Sequence, residues 1–295
     1  MNLYWPVYKN IEYEFENLTY SIQIDDAQLK VYSSKIGDLI LRSSIEIEAI
    51  TKSIYKREIG EYNHNFKFDA DGLQKLNNLY YLCEKEVILT SPSCFVSSNI
   101  IKPFLKNVKR TGSDKLTFSW NNAYQNIKHN RSEFISEASI GNLIEIIAAL
   151  YVLNLIFKND VYHLGFIQDK SGKFNPSQGS SIFAIKLFEP PGLSFGVVAN
   201  SDKNLSCLFE VLPIDDTWNR AKQIISSFNE KRQVIATKRV LRFNDMNKHT
   251  PMEIAELIKV ESQKVDVGRL AEIHFPSMRS IVDAIEFGAT ILKSS

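Results

Sequence analysis

The segment IGNLIEIIAALYVLNLIF, eighteen residues from Ile140 to Phe157, limits what this chain can fold into more than any other stretch. It approaches the length of a membrane span. Gly141, Asn142, Glu145 and Asn154 interrupt it, however, and polar side chains at a bilayer centre are costly. It is therefore expected to be a helix buried on most faces inside a protein core, running from about Arg131 to Phe157, with no membrane partner. A helix that is apolar all round must be enclosed by other elements.

One enclosing element is legible. Ile36, Ile40, Ser43, Ile47, Ile50 and Ile54 recur at three- and four-residue steps, which places them on one helical face. The pattern predicts a helix from about Asp26 to Ile59, stopped by Gly60 and about 50 Å long at roughly 1.5 Å per residue. Two such helices imply a helical bundle or a long helical hairpin.

The rest is mixed. Residues Ile11–Ile24 set Tyr13, Phe15, Thr19 and Ile22 among alternating polar positions, so a strand or hairpin is expected in residues 1–25. Residues 61–113 look like an inserted small lobe, helical over Gly72–Cys83 and extended at Glu86–Thr90 and Cys94–Val96. The turn-rich DKSGKFNPSQGSS after Asp160 opens a C-terminal α/β unit over 161–295. Strands are expected there at Ser181–Phe188, Ser194–Ala199, Ser206–Leu212 and Gln233–Phe243, with a helix over Asp216–Lys231. Thr250, Pro251 and Glu253 form a capping box that starts a helix to Gln263, and a last helix is expected over Ser277–Lys293. The fold class is α+β, divided into 1–25, a helical unit over 26–160 and the C-terminal unit.

Composition removes several classes. With 44% hydrophobic residues in 295, the chain has enough apolar material for a large core, so it is neither disordered nor a disulfide scaffold. Thirty-five basic residues against thirty-four acidic ones leave a net charge of +1, so attraction to nucleic acid has to come from local patches. Cys83, Cys94 and Cys207 match no metal-ligand spacing and read as reduced thiols. With no secretory pattern in MNLYWPVYKN, a cytoplasmic location is expected. His64, His163, His249 and His274 are scattered, and phosphate-loop, nucleophile-elbow and HExxH patterns are absent, so no metal and no cofactor is expected.

One constellation carries chemistry. Around Trp120, Tyr124 and Ile127 an apolar helical stripe is accompanied by Asn122, Asn126 and His129 on a neighbouring face, ending in Lys128-His129-Asn130-Arg131. The long first helix offers Arg42 and Glu46 one turn apart, and an antiparallel pairing would bring such groups opposite this cluster. A carboxylate, a histidine and an arginine in one cleft can cleave a phosphodiester without a metal. In that reading His129 is the general base or acid, Arg131 and Lys128 hold the phosphate, and Glu46 orients the imidazole. The same residues can equally form an inter-helix salt-bridge network.

The combination of RSSIEIEAITK (Arg42–Lys52), SWNNAYQNIKHNR (Ser119–Arg131) and a long apolar helix resembles HEPN-like helical proteins of prokaryotic defence and toxin systems. The resemblance covers roughly Asp26–Asp160. It implies a helical bundle, frequent dimerisation and metal-independent ribonuclease activity, with four to six residues between an Arg and the His that follows it. Here the histidine of the KHNR cluster precedes the arginine. The family spacing recurs at Arg57/His64, Arg242/His249 and Arg269/His274, but Glu58, Phe243 and Leu270 stand where the family favours Asn, Asp or His.

Two basic patches add nucleic-acid candidates: Lys106, Lys109 and Arg110 in a loop-like segment, and Lys238, Arg239 and Arg242 in the expected strand. Arg42 and Asn126 complete that set. In a strand, alternation would send Lys238 and Arg242 to one side and Arg239 to the other. The expected function is RNA binding or metal-independent RNA cleavage, with RNA, a second copy of the chain, or a protein met through the C-terminal unit as partners. The alternative is a non-catalytic interaction or scaffold protein.

Overall fold

The structure, a computed structural model, describes residues 3–90, 98–166, 173–189, 204–213, 216–243, 250–265 and 285–294. Four helices build its centre. They are α1 (Tyr4–Ser21), α2 (Ser34–Glu58), α4 (Ser119–His129) and α6 (Ile140–Lys158); the short α3 (Leu73–Tyr80) and α5 (Arg131–Phe134) lie between α2 and α6 in sequence. Every residue of α6 from Ile146 to Ile156 is buried, as the apolar run requires. The helix is long and apolar enough to cross a membrane, yet 78% of it is buried inside the protein, as in a core helix.

The interruptions of that run have local causes. Gly141 lets the helix approach the preceding loop: its N–H donates to the Leu29 carbonyl at 2.9 Å, and the Ile140 N–H donates to Val31 at 2.9 Å. A Cβ at Gly141 would stand 3.3 Å from that Leu29 oxygen. Ser139 caps the helix by accepting from the Asn142 N–H, and the Asn142 side chain donates to the Glu137 carbonyl. The apolar helix therefore begins at Ile140 and not near Arg131. A capping serine and two loop carbonyls satisfy its first N–H groups, whereas residues 131–137 form only short turns.

The helix α2 starts at Ser34, eight residues later than the periodicity suggests, because the Ser33 side chain caps it by accepting from the Ile36 N–H. Its far end stops where expected, with Gly60 at φ +124°. At 25 residues it spans about 38 Å. It runs parallel to α6. Ser33 meets Ala138 at one end, and Arg57 donates to the Ile156 and Phe157 carbonyls at the other. The two long helices are thus not a hairpin: residues 59–139 intervene, and α4 supplies the return. That helix is antiparallel to α2, with Ile127 near Gly37 and Asn121 bonded to Asp69 beside the far half of α2.

The N-terminal strand or hairpin is replaced by α1. Tyr8, Ile11, Phe15 and Leu18 are buried at helical spacing, while Tyr13, which suggested alternation, is 61% exposed. The helix lies antiparallel to α2 and α6: the Tyr4 hydroxyl reaches Ser53 at 2.6 Å, and Tyr8 stacks on Tyr151 with ring centroids 5.7 Å apart.

The strands are short. In the inserted region they are β1 (Val87–Leu89), β2 (Ile100–Ile101), β3 (Val108–Lys109) and β4 (Leu116–Thr117). In the C-terminal region they are β5 (Tyr162–Gly165), β6 (Phe183–Ile185), β7 (Leu187–Phe188), β8 (Phe209–Pro213) and β9 (Phe287–Ile291). The sheets have the orders β2-β1-β6, β3-β4 and β5-β9-β8-β7. Val87 opposite Ile185 joins the inserted region to the C-terminal region in one sheet, and one contiguous core runs from Tyr8 to Ile291 across the boundary at 160–161. The extended Cys94–Val96 and the strand Ser194–Ala199 fall outside the described residues.

Two further expectations are corrected. Gln233–Phe243 is not a strand but the end of α7 (Asp216–Phe243), because its buried residues, Ala236 and Val240, are four apart and Arg232, one turn earlier, donates to the Ser262 carbonyl of α8 (Pro251–Lys264). The helix expected over Ser277–Lys293 is a strand at Phe287–Ile291, fixed by pairing with β8 from Phe209↔Ile291 to Pro213↔Phe287; residues 277–284 lie outside the described part. The capping box of α8 forms as read, with the Glu253 N–H donating to Thr250 and the Thr250 N–H to Glu253.

Candidate functional site

The KHNR cluster sits where α4 ends. The helix stops at His129, Asn130 leaves helical geometry at φ −149°, and Arg131 opens the one-turn α5. All four side chains are exposed. Arg131 Nη2 donates to Asp38 Oδ1 of α2 at 2.8 Å. Lys128 Nζ lies 3.2 Å from the Tyr124 hydroxyl and 5.3 Å from its ring centroid. His129 has no hydrogen bond or ion pair among the described residues. The two basic residues of the last turn of α4, Lys128 and His129, also suit the negative end of the helix dipole.

The expected carboxylate partner is elsewhere. Glu46 lies two turns beyond Asp38 on α2, about 12 Å along the axis, so the acids that meet the cluster are Asp38, on Arg131, and Glu133, which accepts from the Asn130 amide at 2.6 Å. Burial raises the Glu46 carboxyl above its ordinary range, and Arg42 partly offsets this. Arg42 itself is turned to α1, with Nη1 on Glu14 and Nη2 on Asn10 at 2.7 Å. Asn126 is buried glue: its amide donates to Thr111 at 2.7 Å and to Glu137 at 2.9 Å. The set His129, Arg131, Lys128 and Glu46 is thus not assembled into one cleft, and Arg42 and Asn126 are spent on helix contacts.

Of the first basic patch, Lys106 donates to Gln74 at 3.0 Å and lies over Phe118, and Lys109 pairs with Asp114 at 3.1 Å. Arg110 is exposed at the β3–β4 turn. The second patch gains from being helical. At 100° per residue Lys238 and Arg242 fall within about 40° of one another, Lys231 lies between them, and Arg239 stands one step aside. The stripe faces away from Ala236 and Val240.

A concave site lies elsewhere still. A cleft of about 520 Å3 opens between the start of α6, the loop at Leu29, the edge of β1 and β2, and the segment from Lys102 to Asn107. Leu29, Leu89, Ile101, Leu105 and Ile144 make its walls, and Glu145 is its carboxylate. The Ser119 hydroxyl at the start of α4 donates to Glu145 Oε2. Burial alone pushes the Glu145 carboxyl up to about 7. The cleft's one lysine, Lys102, is directed to Glu86 at 3.5 Å and Glu84 at 3.9 Å. In the sequence Glu145 speaks against a membrane span, and as a lone carboxylate in a largely apolar helix it is also the one signal of this site.

Two other ionisable groups in the core, Glu12 and Lys85, are internally matched. Glu12 accepts from Tyr8 at 2.8 Å, from Ser180, from the Ser181 N–H at 3.1 Å and from Lys9. The fully buried Lys85 donates to the Cys207 carbonyl at 2.7 Å and the Leu205 carbonyl at 3.1 Å. Burial raises the Cys207 thiol, which disfavours a reactive thiolate. Among the described residues no group of three His, Cys, Asp or Glu could hold a metal ion. No family model, curated protein or solved structure matches the chain, so the HEPN-like resemblance rests on the quoted residues.

Proposed function

We propose that this protein binds RNA through the corner at the end of α4. The observation that carries the reading is the exposure of all four KHNR residues around an imidazole with no partner among the described residues. Lys128 and Arg131 bring fixed charge close to His129 in the chain, and phosphate contacts need accessible cations. The α7 stripe of Lys238, Arg239 and Arg242 supplies a second phosphate-facing element. Binding is favoured over cleavage because among the described residues no carboxylate orients His129, which leaves a general base without a positioning partner there.

The test is fluorescence anisotropy of a labelled single-stranded RNA across a salt series. Replacing Lys128, His129 and Arg131 by alanine should weaken binding and reduce the slope of log Kd against log salt by about 0.7 per lost phosphate contact. Equal affinity and slope would remove the reading. If the wild type shortens the RNA and His129→Ala does not, cleavage replaces binding.

A second reading, an association surface, is favoured by Val234 and Leu241 of α7 and Met252 and Val260 of α8, all at least 45% exposed. Light scattering of the wild type against Leu241→Glu tests it: a dimer lost in the variant supports the surface, and a monomer in both removes it.

A further inference from the structure

We infer that the cleft beside α6 is a binding site for a small organic cation, a protonated amine carried on an apolar body, with Glu145 as its counter-ion. This site is separate from the proposed RNA contact, and neither depends on the other.

Size and lining come first. About 520 Å3 lies within the range of pockets that hold small organic ligands, and the wall is mixed: Leu29, Leu89, Ile101, Leu105 and Ile144 supply its apolar part, and Ser98, Asn99 and Asn107 add polar groups. Leu29 comes from the loop before α2, Leu89 and Ile101 from paired strands, Leu105 from the following turn and Ile144 from α6. Each belongs to a separately fixed element, so the cleft is preformed.

The carboxylate decides the ligand's charge. Glu145 is half-buried, and its Oε2 is taken by Ser119, while Oε1 has no hydrogen-bond partner among the described residues. Among the described residues no cation on the surrounding elements pairs with it. Lys102 is held by Glu84 and Glu86, Lys106 by Gln74, and Lys186 by Glu86; Lys30, next to Leu29, is exposed and does not line the cleft. The one acid on the adjoining strand segment, Glu86, is held by Lys186 and Lys102. A half-buried carboxylate beside Ile144, Leu105 and Leu29 without a counter-ion among the described residues is costly when ionised. A ligand ammonium would supply the missing charge and donate to Oε1, while its hydrocarbon displaces water from the walls. An anionic ligand would be repelled, and a neutral one would gain only the apolar contact.

Proton balance follows. With the carboxyl near 7, about half of Glu145 is protonated at neutral pH. An amine that enters as ammonium binds the ionised form, so the protonated fraction releases its proton to solvent on binding. Affinity therefore rises with pH through 7 and levels off above 8. The amine itself, with a pKa near ~10 like a lysine side chain, stays charged throughout.

The probes are 4-phenylbutan-1-amine and its neutral isostere 4-phenylbutan-1-ol, titrated by calorimetry at pH 6 and pH 8 in buffers of different ionisation enthalpy. The expected result is amine binding about tenfold tighter at pH 8 than at pH 6 with proton release, and alcohol binding that is weaker and independent of pH. Glu145→Gln should abolish both the amine preference and the pH dependence. Leu105→Trp, at the half-exposed rim, should block both probes without altering the carboxylate. Absence of amine binding, amine affinity no better than the alcohol's, or equal wild-type affinity at the two pH values overturns the inference. The pH comparison needs no variant, so it decides the matter even if Glu145→Gln folds poorly.

Discussion

Asp38 and Arg131, 93 residues apart, meet in a 2.8 Å hydrogen-bonded ion pair that ties the first turn of α5 to the second turn of α2. The guanidinium is 43% and the carboxylate 62% exposed. A pair this wet contributes less than about 1 kcal/mol to stability. Its main effect is to set where the arginine points.

Asp38→Ala should therefore leave the urea midpoint nearly unchanged, by about 0.5 kcal/mol or less, while tightening RNA binding several-fold at low salt by freeing Arg131 for phosphate. Anisotropy and equilibrium unfolding of the same sample check both halves. Weaker binding in the variant would mean that Asp38 positions Arg131 for the contact instead of competing for it.

Glu12 is the opposite case. Its carboxylate is 1% exposed and accepts from Tyr8, Ser180 and the Ser181 N–H, with Lys9 on the second oxygen. These donors hold its pKa below the ordinary value despite burial, which by itself would raise it. A depressed carboxyl stabilises the fold above its unfolded pKa of about 4.3, and that contribution is lost as pH falls through the lower native value. Glu12→Ala strands a buried hydroxyl and a backbone N–H and should cost about 3–5 kcal/mol at pH 7. In urea melts the gap between wild type and variant should narrow below pH 4. A gap that stays constant down to pH 3 would contradict the assignment.

What the sequence could disclose depended on whether the deciding contact is local. The apolar run to Phe157, the Ile36–Ile54 face and the Thr250 capping box were legible because each is written in neighbouring residues. The N-terminal segment was misread because Tyr13 and Phe15 imitate alternation, while the helical face runs back through Ile11 and Tyr8. The end of α7 was misread for the related reason that, among its described side chains, the buried ones are Ala236 and Val240. Phe287–Ile291 becomes a strand through β8, some eighty residues away. The parallel arrangement of α2 and α6 follows from Ser33–Ala138 and Arg57–Phe157 contacts that no window of sequence contains. For the same reason Glu145 was visible as an exception but not as a site, since its walls come from Leu29, Leu89, Ile101 and Leu105.

Glu145 also predicts a pH dependence of stability with the opposite sign to that of Glu12. A carboxyl raised to about 7 binds its proton more tightly in the folded state than in the unfolded chain, so its contribution is fully present below about 4.3 and is lost as pH rises toward 7. Allowing for solvent in the cleft, the loss is of order 2 kcal/mol. Glu145→Gln should be less stable than or equal to the wild type at pH 4.5 and more stable by that order at pH 8, measured by urea unfolding without ligand. Parallel profiles for the two proteins would show that the carboxylate is better solvated than its position implies.

Gly72, at the start of α3, has φ −64°, so its backbone would accept any L-residue. The objection to a side chain there is steric. A Cβ would stand 2.7 Å from the Thr51 methyl of α2 and 2.9 Å from the Phe66 ring, closer than real carbon contacts allow. Thr51 is fully buried and held by α2 itself, so it cannot retreat. Gly72→Ala should therefore destabilise by about 1–3 kcal/mol, more than the helix propensity of alanine returns. Thr51→Ser removes the offending methyl, and the double variant Thr51→Ser, Gly72→Ala should recover a good part of the loss. A double-mutant cycle of urea midpoints reads this as a favourable coupling of about 1 kcal/mol. Strict additivity would mean that Phe66, not Thr51, is what the new methyl group strikes.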